Sequence, residues 1–524
     1  MDEHGGKDGP PEIPQRAVTE TPTLSKSRYI SGAQCHLRLW YDCYERDLAA
    51  PPDEALRAVF DAGHEVGELA CRRIPGGHLV AHDHRHIPEA LDETSRVIEA
   101  GSAPALFEAA FRHRGVLVRA DIIERLPGGG WRLTEVKSTT RLKDLFVLDA
   151  AVQLWVLRGT GLDVREACVL TLDRQYVYDG RRLDPDALFQ LHPVTGRAEA
   201  LLATVEAGVH GMQVMLAATG APDIAPGGHC FDPYACPYYA HCTRNDAPPD
   251  HGIDELPRLA KAERDRLDAG GIREIRDIPD RFPLTPLQRI VRRTVIDGRP
   301  ALHGDIAGAL ARRRQPVRYL DFETFSSAIP RFAGTRPYDA IPFLFSVHTE
   351  RRGAPPEHAD YLHEGSDDPR PALADRLIGA LGRSGSVCAY SGYEGRILRD
   401  LAAALPERAA ALRAIGTRLF DLLPPIRGSY YHPAFRGSFS IKTVLPALVP
   451  GMDYADLSIA DGQTAAARYV GALATDDPEE RRRTFADLRA YCARDTLALA
   501  ELSRSLATVG PENTVREPVP VRPA

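Results

Sequence analysis

The chain contains no run of roughly 18 uncharged apolar residues, the least a membrane-spanning helix needs, so a membrane partner is not expected. Its first residues, MDEHGGKDGPPEIPQ, are polar and contain no apolar core of the kind a secretory signal has, and a cytoplasmic protein is expected. In that compartment the nine cysteines are not expected to form a disulfide framework. Excess positive charge is also missing. At a net charge of −7 the chain is not held on nucleic acid by bulk electrostatics, although local Arg and Lys patches and bound metal ions can still meet phosphates. No base-stacking module stands out. What is present, 44% apolar and 26% charged residues over 524 positions, is ordinary for a globular chain of two to four domains.

The stretch Gly115–Ser138, GVLVRADIIERLPGGGWRLTEVKS, organises the first half. Two apolar-rich runs, Val116–Leu126 and Trp131–Val136, flank Pro127-Gly128-Gly129-Gly130 and predict a β-hairpin. With the turn centred near Gly128, Asp121 falls opposite Glu135, and Lys137 shares the face of Glu135 because strand side chains alternate. Two carboxylates so placed repel each other unless a cation lies between them, and a hard divalent ion suits an all-oxygen site. A lysine beside them supplies fixed positive charge where phosphoryl charge would develop. Surface ion pairing on an exposed hairpin is the alternative.

Asp121…Glu135-x-Lys137 resembles the core of the PD-(D/E)xK nucleases. Gln153, on the helix-like run Leu142–Leu157, matches the glutamine of their RecB-like branch; where that branch has a tyrosine four residues later, this chain has Leu157. The resemblance implies metal binding by Asp121 and Glu135 and a catalytic setting for Lys137 and Gln153. It also implies a metal-ligand role for His64, on the helical pattern Glu54–Arg73, which resembles the histidine preceding the metal carboxylates in the iron–sulfur branch. Glu108, in LFEAAF, is a further oxygen donor or a solvated strand-end charge. His78, His82, His84 and His86 lack cysteines and helical i, i+4 spacing and read as a polar loop.

Cys230, Cys236 and Cys242 recur with five residues between neighbours in CFDPYACPYYAHC, where prolines and aromatics shape a compact loop. Three soft ligands need a fourth, and Cys35, in the helix-like segment SRYISGAQCHLRLWYDCYERD, is the natural one. One N-terminal cysteine with a later group of three resembles the [4Fe–4S] clasp of AddB-type helicase-nucleases and of the iron–sulfur nucleases of CRISPR adaptation. Zn²⁺ held by the same thiolates remains the alternative. Cys43, Cys71, Cys168, Cys388 and Cys492 have no partner spacing and read as small core hydrophobes.

Beyond Asn245 the composition turns charged and helical. The Gly270-Gly271-Ile272 turn resembles a helix–hairpin–helix or serves a plain spacer, and Arg289, Arg292 and Arg293 are placed to meet a nucleic-acid backbone. VRYLDFETFSSAIP then reads as a strand, with Asp321 and Glu323 on one side. Late in the chain, Tyr491 and Asp495 share one face of the helix FADLRAYCARDTLALAEL. Asp-x-Glu followed by Tyr-x-x-x-Asp resembles the DEDDy exonucleases of ribonuclease-H-like fold. That implies two divalent ions on Asp321, Glu323, Asp495 and a middle carboxylate, with Tyr491 orienting the attacking water. The middle carboxylate is Glu394, in Ser391-Gly392-Tyr393-Glu394, or its rival Asp421. Ser440-Ile441-Lys442-Thr443 reads as a capped helix start beside a lysine, and Arg331, Arg336 and Tyr338 as strand contacts or a structured loop.

The expected organisation is α/β throughout. A disordered tail (1–22) leads into a restriction-endonuclease-like domain with the cysteine cluster (23–245). A helical linker (246–314), a ribonuclease-H-like domain (315–508) and a flexible tail (509–524) follow. The resemblance is to bacterial proteins that join these two nuclease domains. It implies an Mg²⁺- or Mn²⁺-dependent nuclease acting on DNA in preference to RNA, at single strands or ends. Single-centre, ribonuclease and non-catalytic adaptor roles in repair or genome defence are its rivals; a carboxylate-pair glycosidase explains neither Lys137 nor the cysteines.

Overall fold

The computed structural model describes residues 22–83, 85–246 and 249–510, with the backbone of Val515–Arg516. His84, residues 1–21 and nearly all of 511–524, where disordered tails are expected, lie outside the described residues. The chain is an α/β protein. It divides into two compact units, Met1–Asp246 with Ser327–Tyr338, and Ala247–Ser326 with Asp339–Ala524. Among the described residues no helix is long and apolar enough to cross a membrane.

The first unit is built on a seven-stranded sheet. Its strands are β1 (Leu24–Ser25), β2 (His78–Leu79), β3 (Ala105–His113), β4 (Val116–Arg125), β5 (Trp131–Lys137), β6 (Val164–Leu172) and β7 (Phe189–Pro193). They run in the order β2-β3-β4-β5-β6-β7, with β1 parallel to β4. The helices are α1 (Lys26–Gln34), α2 (His36–Tyr44), α3 (Glu54–Cys71), α4 (Ile87–Ala100), α5 (Asp144–Gly159), α6 (Pro185–Leu188), α7 (Thr195–Leu216) and α8 (Tyr239–Cys242).

Strand alternation divides the apolar residues between two faces. Ile123, Leu133 and Val169 pack with α5 and α7, whereas Phe107, Ile122 and Leu170 pack with Val66, Leu69 and Ala70 of α3. α5 is apolar almost all round and buries ten side chains, which is what a helix enclosed between a sheet and a second helical layer requires. The single helix expected around Cys35 is in fact two. Ser25 caps α1 by accepting from the Arg28 N–H, and the extended backbone of Cys35 (φ −161°, ψ 124°) ends it and begins α2.

The second unit begins with α9 (Lys261–Ala269), α10 (Pro286–Asp297), β8 (Ala301–Leu302) and α11 (Ile306–Ala311). The strands β9 (Val317–Ser326), β10 (Ala340–Glu350) and β11 (Glu357–Leu362) follow, then α12 (Pro369–Leu381), β12 (Ser386–Ala389), α13 (Tyr393–Ala404), α14 (Ala409–Gly416) and β13 (Leu419–Asp421). α15 (Leu423–Ser429), β14 (Tyr430–Tyr431), α16 (Ile441–Leu448), α17 (Gly462–Ala474) and α18 (Pro478–Ala507) complete it. The main sheet has the order β11-β10-β9-β12-β13. Its β11-β10-β9 part is antiparallel and β9-β12-β13 is parallel. Leu320 and Phe322 of β9 face the helices α12 to α14, and Tyr319 faces the core that holds Leu499 and Leu502 of α18. Period-two alternation therefore turns Asp321 and Glu323 toward α18.

Two segments depart from the expected division. Residues 246–314 are not a free linker: Ile253, Leu256, Leu267, Ile275 and Val291 are buried in one core with Tyr431, Phe435 and Leu499. Their apolar spacing serves packing. Arg289 and Arg292 donate to the carbonyls of Leu284 and Ile278, so these two guanidiniums serve the local fold. Residues 327–338 also leave the second domain as expected. Ala328 and Ile329 bury among Val66, Phe107 and Leu172 of the first unit, and the Tyr178 N–H donates to the Thr335 carbonyl.

Gly437 shows how tightly 246–314 is built in. At φ +77°, a Cβ there would stand 1.8 Å from the carbonyl oxygen of Glu255. Gly437→Ala is therefore expected to destabilise the chain by at least about 2 kcal/mol, read as a lower urea midpoint; an unchanged midpoint would show that this contact yields freely.

Candidate functional site

The first group of functional side chains is held by the hairpin. β4 and β5 pair antiparallel in a ladder that ends with Ile122 against Thr134, and Asp121 and Glu135 are the next residue along on each strand. There the Asp121 carboxylate accepts from the Val136 N–H at 2.7 Å. Glu135 is 1% exposed and ringed by donors. Lys137 Nζ lies 2.8 Å from its Oε1, and Gln153 Nε2 donates to Oε2 at 2.6 Å. Lys137 also pairs with Asp149 at 2.5 Å.

Two members of this group were not singled out by the motif. Lys26, at the start of α1, donates to both oxygens of Glu135 at 2.7 and 2.9 Å, from 109 residues upstream. Asp149 precedes Gln153 by four positions on α5, and i, i+4 spacing would have found it. Nothing local announces Lys26.

Electrostatics separate the two hairpin carboxyls. Burial, with Glu135 nearby, pushes Asp121 up to about 7. Glu135 is the more deeply buried of the two, but the ammonium groups of Lys26 and Lys137 hold it well below the usual carboxylate range. His64 stands exposed on α3, and among the described residues no hydrogen bond or ion pair joins it to the group. Glu108 sits in the left-handed region (φ 55°), where the β3–β4 register skips a residue, and pairs with Arg119 at 3.3 Å. Of the histidine loop, His78 and His82 lie 2.8 and 3.4 Å from Glu93, and His86 lies 2.8 Å from Asp83.

The second group lies where β9, α13 and α18 converge. Asp321, Glu323 and Cys492 each place one ligand atom so that all three lie within 4.8 Å of one another. Cys492, expected to be a plain core hydrophobe, is fully buried, but its Sγ stands 3.5 Å from Asp321 Oδ2. Asp495 follows one turn along α18, and its Oδ1 accepts from the Tyr454 hydroxyl at 2.5 Å. Tyr454 comes from the loop before α17 and has no sequence signal. Tyr491 is 3% exposed on the same helix, and the ammonium of Lys442 lies 5.5 Å from the ring centres of both tyrosines.

Glu394, 4% exposed, has its Oε2 enclosed with no hydrogen-bond partner among the described residues. Its rival Asp421 is differently occupied: it accepts from the N–H groups of Ser391 (2.8 Å) and Leu423 (2.9 Å), shaping the turn in which Ser391 adopts φ 91°. Burial is the largest influence on Asp321, Glu323, Glu394 and Asp495. It pushes Glu323 and Glu394 up to about 8 and Asp495 to about 6, and Asp321, surrounded by the other three, well above the ordinary value. Lys442 is the cation that lowers Glu323 and Asp495. Asp321 and Glu323 offer oxygens close enough together for a divalent cation to bridge, and Glu394 and Asp495 add negative charge around them while standing outside that 4.8 Å group.

The four cysteines line one pocket together with Arg38, Tyr41 and His229. Gln34 Nε2 donates to the carbonyls of His229 and Tyr234, both at 2.7 Å, which fastens the end of α1 to the cysteine loop. Tyr238 donates to Asp42 at 2.8 Å and fastens α2. Burial pushes the thiols of Cys236 and Cys242 up. Among the described residues the three ligand atoms that lie within 4.8 Å of one another belong to Asp321, Glu323 and Cys492, so no three of the pocket sulfurs come that close together.

The raised carboxyls fix the pH dependence of stability in chelator. The folded second unit retains protons that the unfolded chain, with carboxyls near 4, has released. Their contribution is present below about pH 4 and is lost as pH rises through 6 to 8. Glu394→Gln is expected to be more stable than the parent at pH 8 by at least about 1 kcal/mol and to match it near pH 4, as read by urea unfolding. Equal stability at both pH values would contradict this account of Glu394.

Residues 318–440 match the model of a family described as a domain of unknown function, DUF2779. No curated protein matches the chain.

Proposed function

We propose that this chain is a metal-dependent nuclease that cleaves phosphodiester bonds of DNA, at single strands or ends, with two active centres. The observation that carries the reading is the gathering of four carboxyls, half-buried Asp321 with buried Glu323, Glu394 and Asp495, in which Lys442 is the cation beside Glu323 and Asp495 and, among the described residues, Glu394 Oε2 has no hydrogen-bond partner. Divalent ions such as Mg²⁺ or Mn²⁺, when bound there, would clamp the scissile phosphate and activate water. The DEDDy resemblance of the second centre and the PD-(D/E)xK resemblance of the hairpin support the same chemistry.

The chain's own residues have definite parts in this reading. In the second centre Tyr491 orients the attacking water, and Tyr454 holds Asp495 by its hydrogen bond. Lys442 sets positive charge beside the developing phosphoryl charge. In the first centre Asp121 and Glu135 hold the metal, and Gln153 fixes the Glu135 carboxylate through Oε2. Lys137, oriented by Asp149, stabilises the transition state. Cys35, Cys230, Cys236 and Cys242, which line one pocket, would hold a [4Fe–4S] cluster that ties the two ends of the first unit's chain together.

The test is incubation of metal-supplemented full-length protein with labelled single- and double-stranded DNA and RNA. Lys137→Ala and Asp321→Ala are each expected to remove one cleavage activity by roughly a hundredfold or more and to spare the other. Absence of cleavage by the parent on every substrate overturns the enzymatic reading, cleavage of RNA alone overturns the DNA assignment, and loss of all cleavage in either variant overturns independent centres. Anaerobically purified protein is expected to be coloured and to contain iron, with Cys230→Ser bleached. A colourless preparation with stoichiometric zinc would reject the cluster.

A further inference from the structure

The first centre contains a cation that no motif calls for. The Lys26 ammonium spans both oxygens of Glu135 at 2.7 and 2.9 Å, the fork a divalent ion would use. The same oxygens also receive Lys137 and Gln153, so Glu135 has no open position in this arrangement. Asp121 and Asp149 add their charges around Lys26. Two ammonium groups, Lys26 and Lys137, thus sit among three carboxyls, and Lys26 is the one that spans both oxygens of Glu135.

Lys26 is carried by α1, and α1 leads directly to the cysteine pocket. Nine helical residues span about 13 Å, with Lys26 at one end and Gln34 at the other. Gln34 is hydrogen-bonded to the cysteine loop, and Cys35, which lines the pocket, follows immediately. Two residues before Gln34, Gly32 lies so close to α7 that a Cβ would stand 2.7 Å from Met212 Sδ. A short helix gripped at both ends in this way links the position of Cys35 to that of Lys26.

We propose that Lys26 is an internal counter-cation that competes with a divalent ion for Glu135, and that α1 makes this competition depend on the state of the cysteine pocket. The proposal rests on the reading of Asp121 and Glu135 as metal ligands. Lys26 is a positioning residue in this scheme: it governs how readily the metal takes Glu135 and does not itself touch substrate.

The experiment measures Mn²⁺ binding by electron paramagnetic resonance on the full-length chain carrying Asp321→Ala, which removes a ligand of the second centre. Lys26→Met in that background is expected to bind Mn²⁺ at least about tenfold more tightly, because one competing charge among three carboxylates is gone. Lys26→Arg is expected to stay near the parent. Cys35→Ser is expected to change the affinity at least about threefold when Lys26 is present and not at all beside Lys26→Met. Unchanged or weaker binding in Lys26→Met, with binding abolished by Glu135→Gln, overturns the competitor role while leaving the metal reading intact. Binding indifferent to Glu135→Gln removes the metal reading itself. An equal effect of Cys35→Ser in both backgrounds overturns the coupling through α1. Lys26→Gln and Cys242→Ser repeat the comparison if either first choice fails to fold, with thermal melting as the check.

Discussion

Burying carboxylates without burying equal positive charge is the constraint on which the rest of this structure turns. An isolated buried carboxylate is costly, and a folded chain relieves the cost by pairing it, protonating it or giving it a metal. The two units resolve the problem differently. Around Glu135 the chain supplies its own cations, Lys26 and Lys137, and that carboxyl stays ionised. Around Asp321 there is Lys442 for four carboxyls, and the acids take up protons instead.

The scaffolds make these arrangements possible because strands fix side-chain direction rigidly. In each unit an apolar strand carries acids two residues from core positions on the same face: Asp121 beside Ile123, Glu135 beside Leu133, and Asp321 and Glu323 beyond Tyr319. The helices packed on that face then determine what the acids meet. α5 brings Asp149 and Gln153 to the first group, and α18 brings Tyr491, Cys492 and Asp495 to the second. The same burial that sustains the sheet core therefore desolvates the acids and moves their proton affinities.

Much of this was legible in the amino-acid order. A Gly-rich turn between apolar runs announces a hairpin, and counting outward from it places Asp121 against Glu135. Tyr491 and Asp495 are four apart on a helix and had to share a face. Residues 246–314 misled because amphipathic helices look alike whether they bridge domains or cap a core; only the burial of Ile253, Leu267 and Val291 separates the two cases. Cys492 misled for a similar reason, since a buried thiol in a core and one beside a carboxylate have the same local sequence signal.

The sequence by itself determined the alternation of strands, the period of helices and hence which acids share a face, because these depend on backbone geometry within a few residues. Tertiary structure alone decided which cation answers which acid. Lys26 reaches Glu135 across 109 residues and Tyr454 reaches Asp495 across 41, and such partners are chosen by chain packing, which no local period encodes.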